Sequence, residues 1–286
     1  MDRRLALPFA ALLVASPLLV ACGDDPDPIR SSHPRAELIG QPVDSGFRPD
    51  TGGFSFGNFD DRAYPQSFDT QAFLDTVGGG PRVCVDGISD PCVLTEEATI
   101  FADTVNDARR SGHCEGMVVY AAVRHRLELQ PATSSLPPDD RVVNTIIRAF
   151  ATMFLPEVQA EGRAWSATSL ADKVAELAAA LADGRLEYGM GIYRPDGGHE
   201  VLPYAIEYPE PTLARVLVYD PNWPMVERYV DIDLEKERWR FSFAAEDQSA
   251  DPYAWSGDEA DLDLNSISVR AAALEARGVD LAPPIP

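Results

Sequence analysis

Positive charge is scarce in this chain: 24 Lys and Arg stand against 46 Asp and Glu, for a formal net charge of -22. That balance offers no cationic face to a phosphate backbone or to anionic lipid, and nucleic acid is excluded as a partner class. Cysteine and histidine are equally sparse, with four of each. The cysteines show no zinc-type pairing, no glycine-rich phosphate loop is present, and no metal or cofactor is expected. No internal repeat is visible. Glutamine is missing over one long interval, between Gln71 and Gln130.

Apolar residues make up 45% of the 286 positions, enough for one globular domain of about 180 to 220 residues with tails. The start reads as an export signal. Asp2-Arg3-Arg4 precede an apolar stretch, residues 5–21, interrupted by Pro8 and Pro17. It lies at the lower limit of the roughly 17 to 25 residues a spanning helix needs, and it ends in small residues. Leu19-Val20-Ala21-Cys22 resembles the lipobox of bacterial lipoproteins, and Gly23-Asp24-Asp25 opens a polar segment directly after it. The resemblance implies a signal peptide over 1–21, lipidation at Cys22, a lipid bilayer as partner, and an extracytoplasmic place in the bacterial cell envelope.

Export makes the remaining cysteines informative. Cys84 and Cys92 bracket a short loop containing Gly87 and Pro91, and in an oxidising compartment they are natural disulfide partners. Cys114 is left without a mate. Residues 22–57, rich in Asp, Pro, Ser and Gly and without periodicity, read as a disordered tether. The packed domain is expected over 58–245. An acidic tail with one possible short helix, at 266–276, follows over 246–286.

Inside the domain the periodicity changes once. Helical spacing predicts helices over 95–110, from Cys114 to about residue 129, over 141–155 with Val143, Ile146, Ile147, Phe150 and Phe154 on one side, and over 169–182 behind the capping pattern Ser169-x-x-Asp172. After Gly184, short runs rich in β-branched and aromatic residues predict strands at 187–193, 199–208, 213–219, 226–232 and 238–243. Helices first and an antiparallel meander second describe an α+β domain.

Ser111 and Gly112 deliver Cys114 to the start of an apolar helix, where free N–H groups and the helix dipole favour a thiolate. A nucleophilic cysteine needs a base, and a third group to orient that base. His33 lies in the tether. His125 stands three turns along the Cys114 helix, roughly 16 Å away at 1.5 Å per residue. His113 is next to Cys114 in sequence, where helical side chains do not face each other. His199, at the head of a strand after Gly197 and Gly198, remains. Asp220 at the end of a neighbouring strand, or Asn222 two residues on, can orient it. Asn106 is the candidate oxyanion donor, together with the Cys114 N–H. Asp258, Glu259, Asp261 and Asp263 lack the calcium-loop order and read as a solvated acidic face.

The segments Gly112-His113-Cys114-Glu115-Gly116-Met117, Gly198 to Ile206, and Val218-Tyr219-Asp220-Pro221-Asn222-Trp223-Pro224 resemble the papain-like cysteine peptidase superfamily, especially its C39-like bacterial relatives. The order Cys, His, Asp or Asn is that superfamily's. The resemblance implies a helical lobe led by the cysteine helix, packed on an antiparallel sheet lobe. It also implies a thiol hydrolase acting on a peptide or protein substrate through a thioester. Two alternatives stay open: a catalytically inactive binder of peptide or cell wall, and a transglutaminase-like acyl transferase.

Overall fold

Apolar residues recur at three- and four-residue spacing up to residue 182 and gather into short runs of β-branched and aromatic residues after 187, and the fold follows that division. The computed structural model describes residues 35–281. The expected signal peptide, Cys22, His33 and the first part of the expected tether lie outside the described residues. In chain order the elements are β1 (Val43–Asp44), α1 (Pro49–Gly52), α2 (Thr70–Val77), α3 (Glu96–Ala108), α4 (Cys114–Arg126), α5 (Asp140–Ala151), α6 (Pro156–Ser166) and α7 (Leu170–Ala182). They are followed by β2 (Tyr188–Arg194), β3 (Gly197–Glu210), β4 (Leu213–Tyr219), β5 (Glu227–Asp233), β6 (Arg238–Phe241), β7 (Trp255–Gly257), β8 (Leu262–Ser266) and α8 (Ile267–Glu275).

Side-chain caps set the helix starts. Thr95, Asp139 and Ser169 accept from the backbone N–H groups of Ala98, Val142 and Asp172 at the heads of α3, α5 and α7. The cysteine helix α4 is buried on every side from Glu115 to Arg124. Gly116 permits its close approach to α5, because a Cβ there would lie 2.3 Å from the carbonyl oxygen of Ile146. A bulkier residue at 116 would push the two helices apart.

The strands form one antiparallel sheet in the order β7-β6-β5-β4-β3-β2-β8. Strand β3 is its spine, with β2 and then β1 along one side and β4 along the other. The sheet curls, so that Arg194 of β2 lies 5.4 Å over the ring of Trp255 in β7. Pro203 sits inside β3, a position that ordinarily requires an N–H donor. The β3–β4 register shifts between Pro203 and Ala205, a bulge that accommodates the missing donor.

The fold class is therefore α+β, a set of helices packed on a curled antiparallel sheet, and the five expected strands appear within a few residues of their predicted ends. Both predicted domain boundaries are too narrow. Residues 43–57 are packed rather than loose: β1 pairs with β3, and Phe47 and Phe54 are core residues. Isolated aromatics among Pro, Gly and Asp carry no period, which hides them from a pattern reading. At the other end, β7, β8 and α8 complete the sheet and the core, so the segment after 245 is part of the domain. The expected solvated acidic face holds at Asp258 and Glu259, whose side chains are exposed to solvent, and is corrected at Asp263. Asp258 and Asp261 cap a short turn reciprocally, and Asp263 points inward beside Gly191.

One buried ion pair ties the late helix to the early one. Arg270 of α8, fully buried, donates to Glu115 of α4 and to Thr152 Oγ1 at 2.7 Å. Removing one partner of such a pair leaves an uncompensated buried charge. Arg270→Ala is expected to cost about 3–5 kcal/mol in chemical denaturation, and Arg270→Met with Glu115→Leu to recover most of it. A loss under about 1 kcal/mol for the single variant would show that packing alone docks α8.

Candidate active site

The turn before α4 is made by one residue type. Gly112 has φ +125°, a conformation L side chains rarely adopt, and a Cβ on it would lie 2.7 Å from Nδ2 of Asn58. Cys114 is the first residue of α4 and is partly exposed. Among the described residues no side chain caps this helix. Its first N–H groups and the positive end of its dipole therefore stand beside the thiol.

Three histidines are described, and the structure separates them. His113 is buried, stacks on Phe59 at 4.5 Å between centroids, donates from Nδ1 to the Phe59 carbonyl at 2.7 Å and accepts from Arg109 Nε at 2.9 Å. Burial, with the Arg109 guanidinium beside it, pushes its pKa down to about 4, so it is a neutral structural group. His125 packs edge-on against Phe47 at the far end of α4. His199 is the histidine close enough to Cys114 for the two to interact, and that interaction helps to raise the imidazole pKa.

His199 donates from Nε2 to Asp220 Oδ1 at 2.7 Å, with side-chain exposures of 2% and 0%. That leaves Nδ1 as the nitrogen for the sulfur. Phe241 stacks against the imidazole at 6.1 Å and Phe243 meets it edge-on at 5.2 Å, closing it from water. Burial disfavours the imidazolium, but the charge and hydrogen bond of Asp220, joined by those of Cys114, outweigh it and raise His199 to about 10. The arrangement can hold a proton on His199 beside a nucleophilic sulfur.

Of the two expected orienting residues, Asp220 is the one on His199. The Asn222 backbone N–H donates to the same Asp220 oxygen at 2.8 Å, while its side-chain Oδ1 accepts from Asn58 Nδ2 at 3.1 Å. Asn106 is engaged elsewhere: Oδ1 accepts from the Phe68 N–H and from Arg109, and Nδ2 donates to the Phe68 carbonyl. Cys84 and Cys92 are disulfide-bonded, 5.3 Å apart at Cα. A cavity of about 570 Å³ lies at the other end of α4, lined by Arg124, His125, Arg126 and Glu128. None of the residues around the thiol lines it, so chemistry rather than concavity locates the site.

Two groups of residues escaped the sequence reading. Asn58, in an aromatic-rich stretch with no motif around it, touches both turns of the site. Behind the dyad lies a set of inward carboxyls. Glu200, adjacent to His199, and Asp263 of β8 both lie directly opposite Gly191, and Asn265 Nδ2 donates to both. Burial, then Glu115 and Asp263, push Glu200 well up, and burial with Glu115 pushes Asp263 up to about 7. That Glu115 and Glu200 each follow a site residue is visible in the sequence; that they face one another is not.

Comparison with known proteins adds no relative: no family model matches the chain, and no curated protein or solved structure matches it.

The His199 environment predicts an alkaline loss of stability. The folded chain retains a proton up to about pH 10 that the unfolded chain releases near its ordinary value of 6.5. The stabilisation is complete below 6.5 and is lost as pH rises through 10. His113, depressed to about 4, acts with the opposite sign, but only between 4 and 6.5. Urea midpoints are expected to fall between pH 7 and 10, and His199→Gln, which keeps a donor for Asp220 without titrating, to flatten that fall. An equal slope in both proteins would rule out a retained His199 proton.

Proposed function

We propose that the chain is a membrane-anchored, extracytoplasmic thiol hydrolase, a papain-like cysteine peptidase acting on a peptide or protein substrate. The observation that carries this reading is the buried His199–Asp220 hydrogen bond standing beside Cys114 at the start of a buried helix, close enough for thiol and imidazole to interact. In the proposed reaction the Cys114 sulfur attacks an acyl carbon, forming a thioester as the C–N bond breaks. His199 transfers its proton from Nδ1 to the leaving amine. Water, deprotonated by His199, then cleaves the thioester and restores the thiol. The Cys114 N–H at the helix start is the proposed oxyanion donor, and Asp220 keeps the imidazole turned toward the sulfur.

A second reading has one observation in its favour. Glu200 and Asp263 crowd acidic groups behind Cys114; Glu200 is driven to keep its proton, and a thiolate would add to the charge that drives it. A catalytically silent module that binds peptide or cell wall would tolerate them. The two readings part on the reactivity of the thiol. The hydrolase is expected to alkylate at Cys114 rapidly well below the ordinary thiol pKa of about 8.5, and to lose that low-pH reactivity in His199→Ala. Peptide mapping assigns the modified residue. Cys114→Ala is expected to remain folded and to abolish turnover; incorporation of an amine in place of water would identify acyl transfer. An ordinary titration at Cys114 would leave the binding module.

The anchor rests on the Leu19 to Cys22 motif and on the export signal before it. Among the described residues no helix is long and apolar enough to cross a membrane. Cells expressing the chain are expected to incorporate labelled fatty acid into it, and Cys22→Ser to abolish the label. A label that survives in Cys22→Ser would overturn lipidation at this residue.

A further inference from the structure

The two turns that carry the site, Gly112-His113 before the cysteine and Pro221-Asn222 after the aspartate, lie far apart in sequence and on different elements. A single side chain bridges them. Asn58 Oδ1 accepts from the His113 N–H at 2.8 Å, and its Nδ2 donates to Asn222 Oδ1 at 3.1 Å. Its own backbone N–H donates to the Pro221 carbonyl at 2.7 Å, and its side-chain amide occupies the space a Cβ on Gly112 would need, 2.7 Å from Nδ2 and 3.1 Å from Oδ1. The next residue, Phe59, grips His113 through both its ring and its carbonyl.

These contacts close a circuit. From Cys114 the chain passes one residue back to His113, whose N–H reaches Asn58. Asn58 reaches Asn222, and the Asn222 N–H reaches Asp220 Oδ1. That oxygen also holds His199, whose imidazole stands near enough to Cys114 for the two to interact. Within the circuit, Asn58 makes the one connection, apart from the sulfur–imidazole contact itself, between the helix that carries the thiol and the strands that carry the imidazole. The amide is suited to this position chemically. One end must accept from an N–H and the other must donate to a carbonyl oxygen, and only Asn or Gln presents both on one planar group. Gln is one methylene longer and would carry the amide past the positions from which it meets the His113 N–H and Asn222 Oδ1.

We infer that Asn58 is the positioning residue of this site: it sets the separation and orientation of Cys114 relative to His199 by tying the His113 N–H to Asn222. The inference rests on the thiol-hydrolase reading and adds to it a residue from outside the three motifs. Asn222, expected to compete with Asp220 for the imidazole, becomes the second member of the strut instead. It serves the imidazole through its N–H, and Asn58 through its side chain.

The test is the pH profile of Cys114 alkylation in the full-length protein, with iodoacetamide as the probe. It is measured in wild type, Asn58→Ala, Asn222→Ala and the double variant, each checked for cooperative thermal unfolding. Asn58→Ala is expected to slow alkylation at pH 6 about tenfold and to move the profile toward that of an ordinary thiol, near 8.5. Asn222→Ala is expected to do the same, and the double variant to be no slower than the worse single one, because both remove one link. Loss of stability alone does not move a thiol's titration, so the profile separates positioning from folding. If Asn58→Ala fails to fold, Asn222→Ala reads the same link from its other end with the Gly112 cradle intact. A wild-type profile of an ordinary thiol overturns the hydrolase reading and this inference with it. An activated wild-type thiol whose profile is unchanged in either variant overturns the role of Asn58 alone.

Discussion

A carboxylate and an imidazole buried together, 2.7 Å apart and almost without exposure, are the constraint around which this protein is built. A charge removed from water costs several kcal/mol unless partners replace the solvent, and here each partner is supplied by a different element. The imidazole stands on β3 and the carboxylate at the end of β4; the pairing of Leu202 with Tyr219 brings their strand ends to the same place. A slip of one residue in that register would turn His199 to the opposite face. A backbone N–H from Asn222 supplies a second donor to the carboxylate, and the buried Arg228 of β5 adds an attractive charge nearby. Phe241 and Phe243 exclude water. The curl of the sheet brings β7 over to β2, where Trp255 stacks on Phe243 at 4.5 Å and backs that wall.

The acidity of the chain enters the interior as well as the surface. Glu115, Glu200 and Asp263 converge between α4 and the sheet, with Arg270 as the paired cation. Three carboxyls share this desolvated space with the Arg270 guanidinium, and buried Lys173 acts on Asp263 as well; burial and mutual repulsion still push Glu200 and Asp263 up, so the carboxyls do not all ionise. The two residues whose chemistry defines the site are therefore each followed by a glutamate that faces away from solvent. Helix and sheet meet through a protonated carboxyl contact rather than through an apolar seam alone.

Much of this could be read from residue patterns. The helical spacing of Val143, Ile146, Ile147 and Phe150 gave α5, and short β-branched and aromatic runs between turn residues gave β2 to β6; of the histidines, His125 was set aside by its distance along a helix and His113 by its place next to the cysteine. Cys114, His199 and Asp220, picked out from distant parts of the sequence, lie together in the fold. What could not be read shares one physical cause. Strand β1 is two residues long, β7 three, and Phe47 and Phe54 stand singly among turn formers, so none of them generates a period. Their structure comes from partners distant in sequence. Asn58 is the sharpest case: nothing near it marks its role, because both of its side-chain partners, His113 and Asn222, are supplied by other parts of the fold.

The segment from 255 to 275 provides both ends of the sheet, β7 beyond β6 and β8 beyond β2, and also the guanidinium that Glu115 requires. Everything these residues pair with precedes them in the chain. A polypeptide emerging from its N-terminus thus carries the thiol, the imidazole and the carboxylate well before it can close either open strand edge or compensate the glutamate beside the thiol. Until then it presents two unpaired edges of the kind that recruit other chains. A product cut short before residue 255 lacks both outer strands and the partner of Glu115, and is exposed to association with its neighbours.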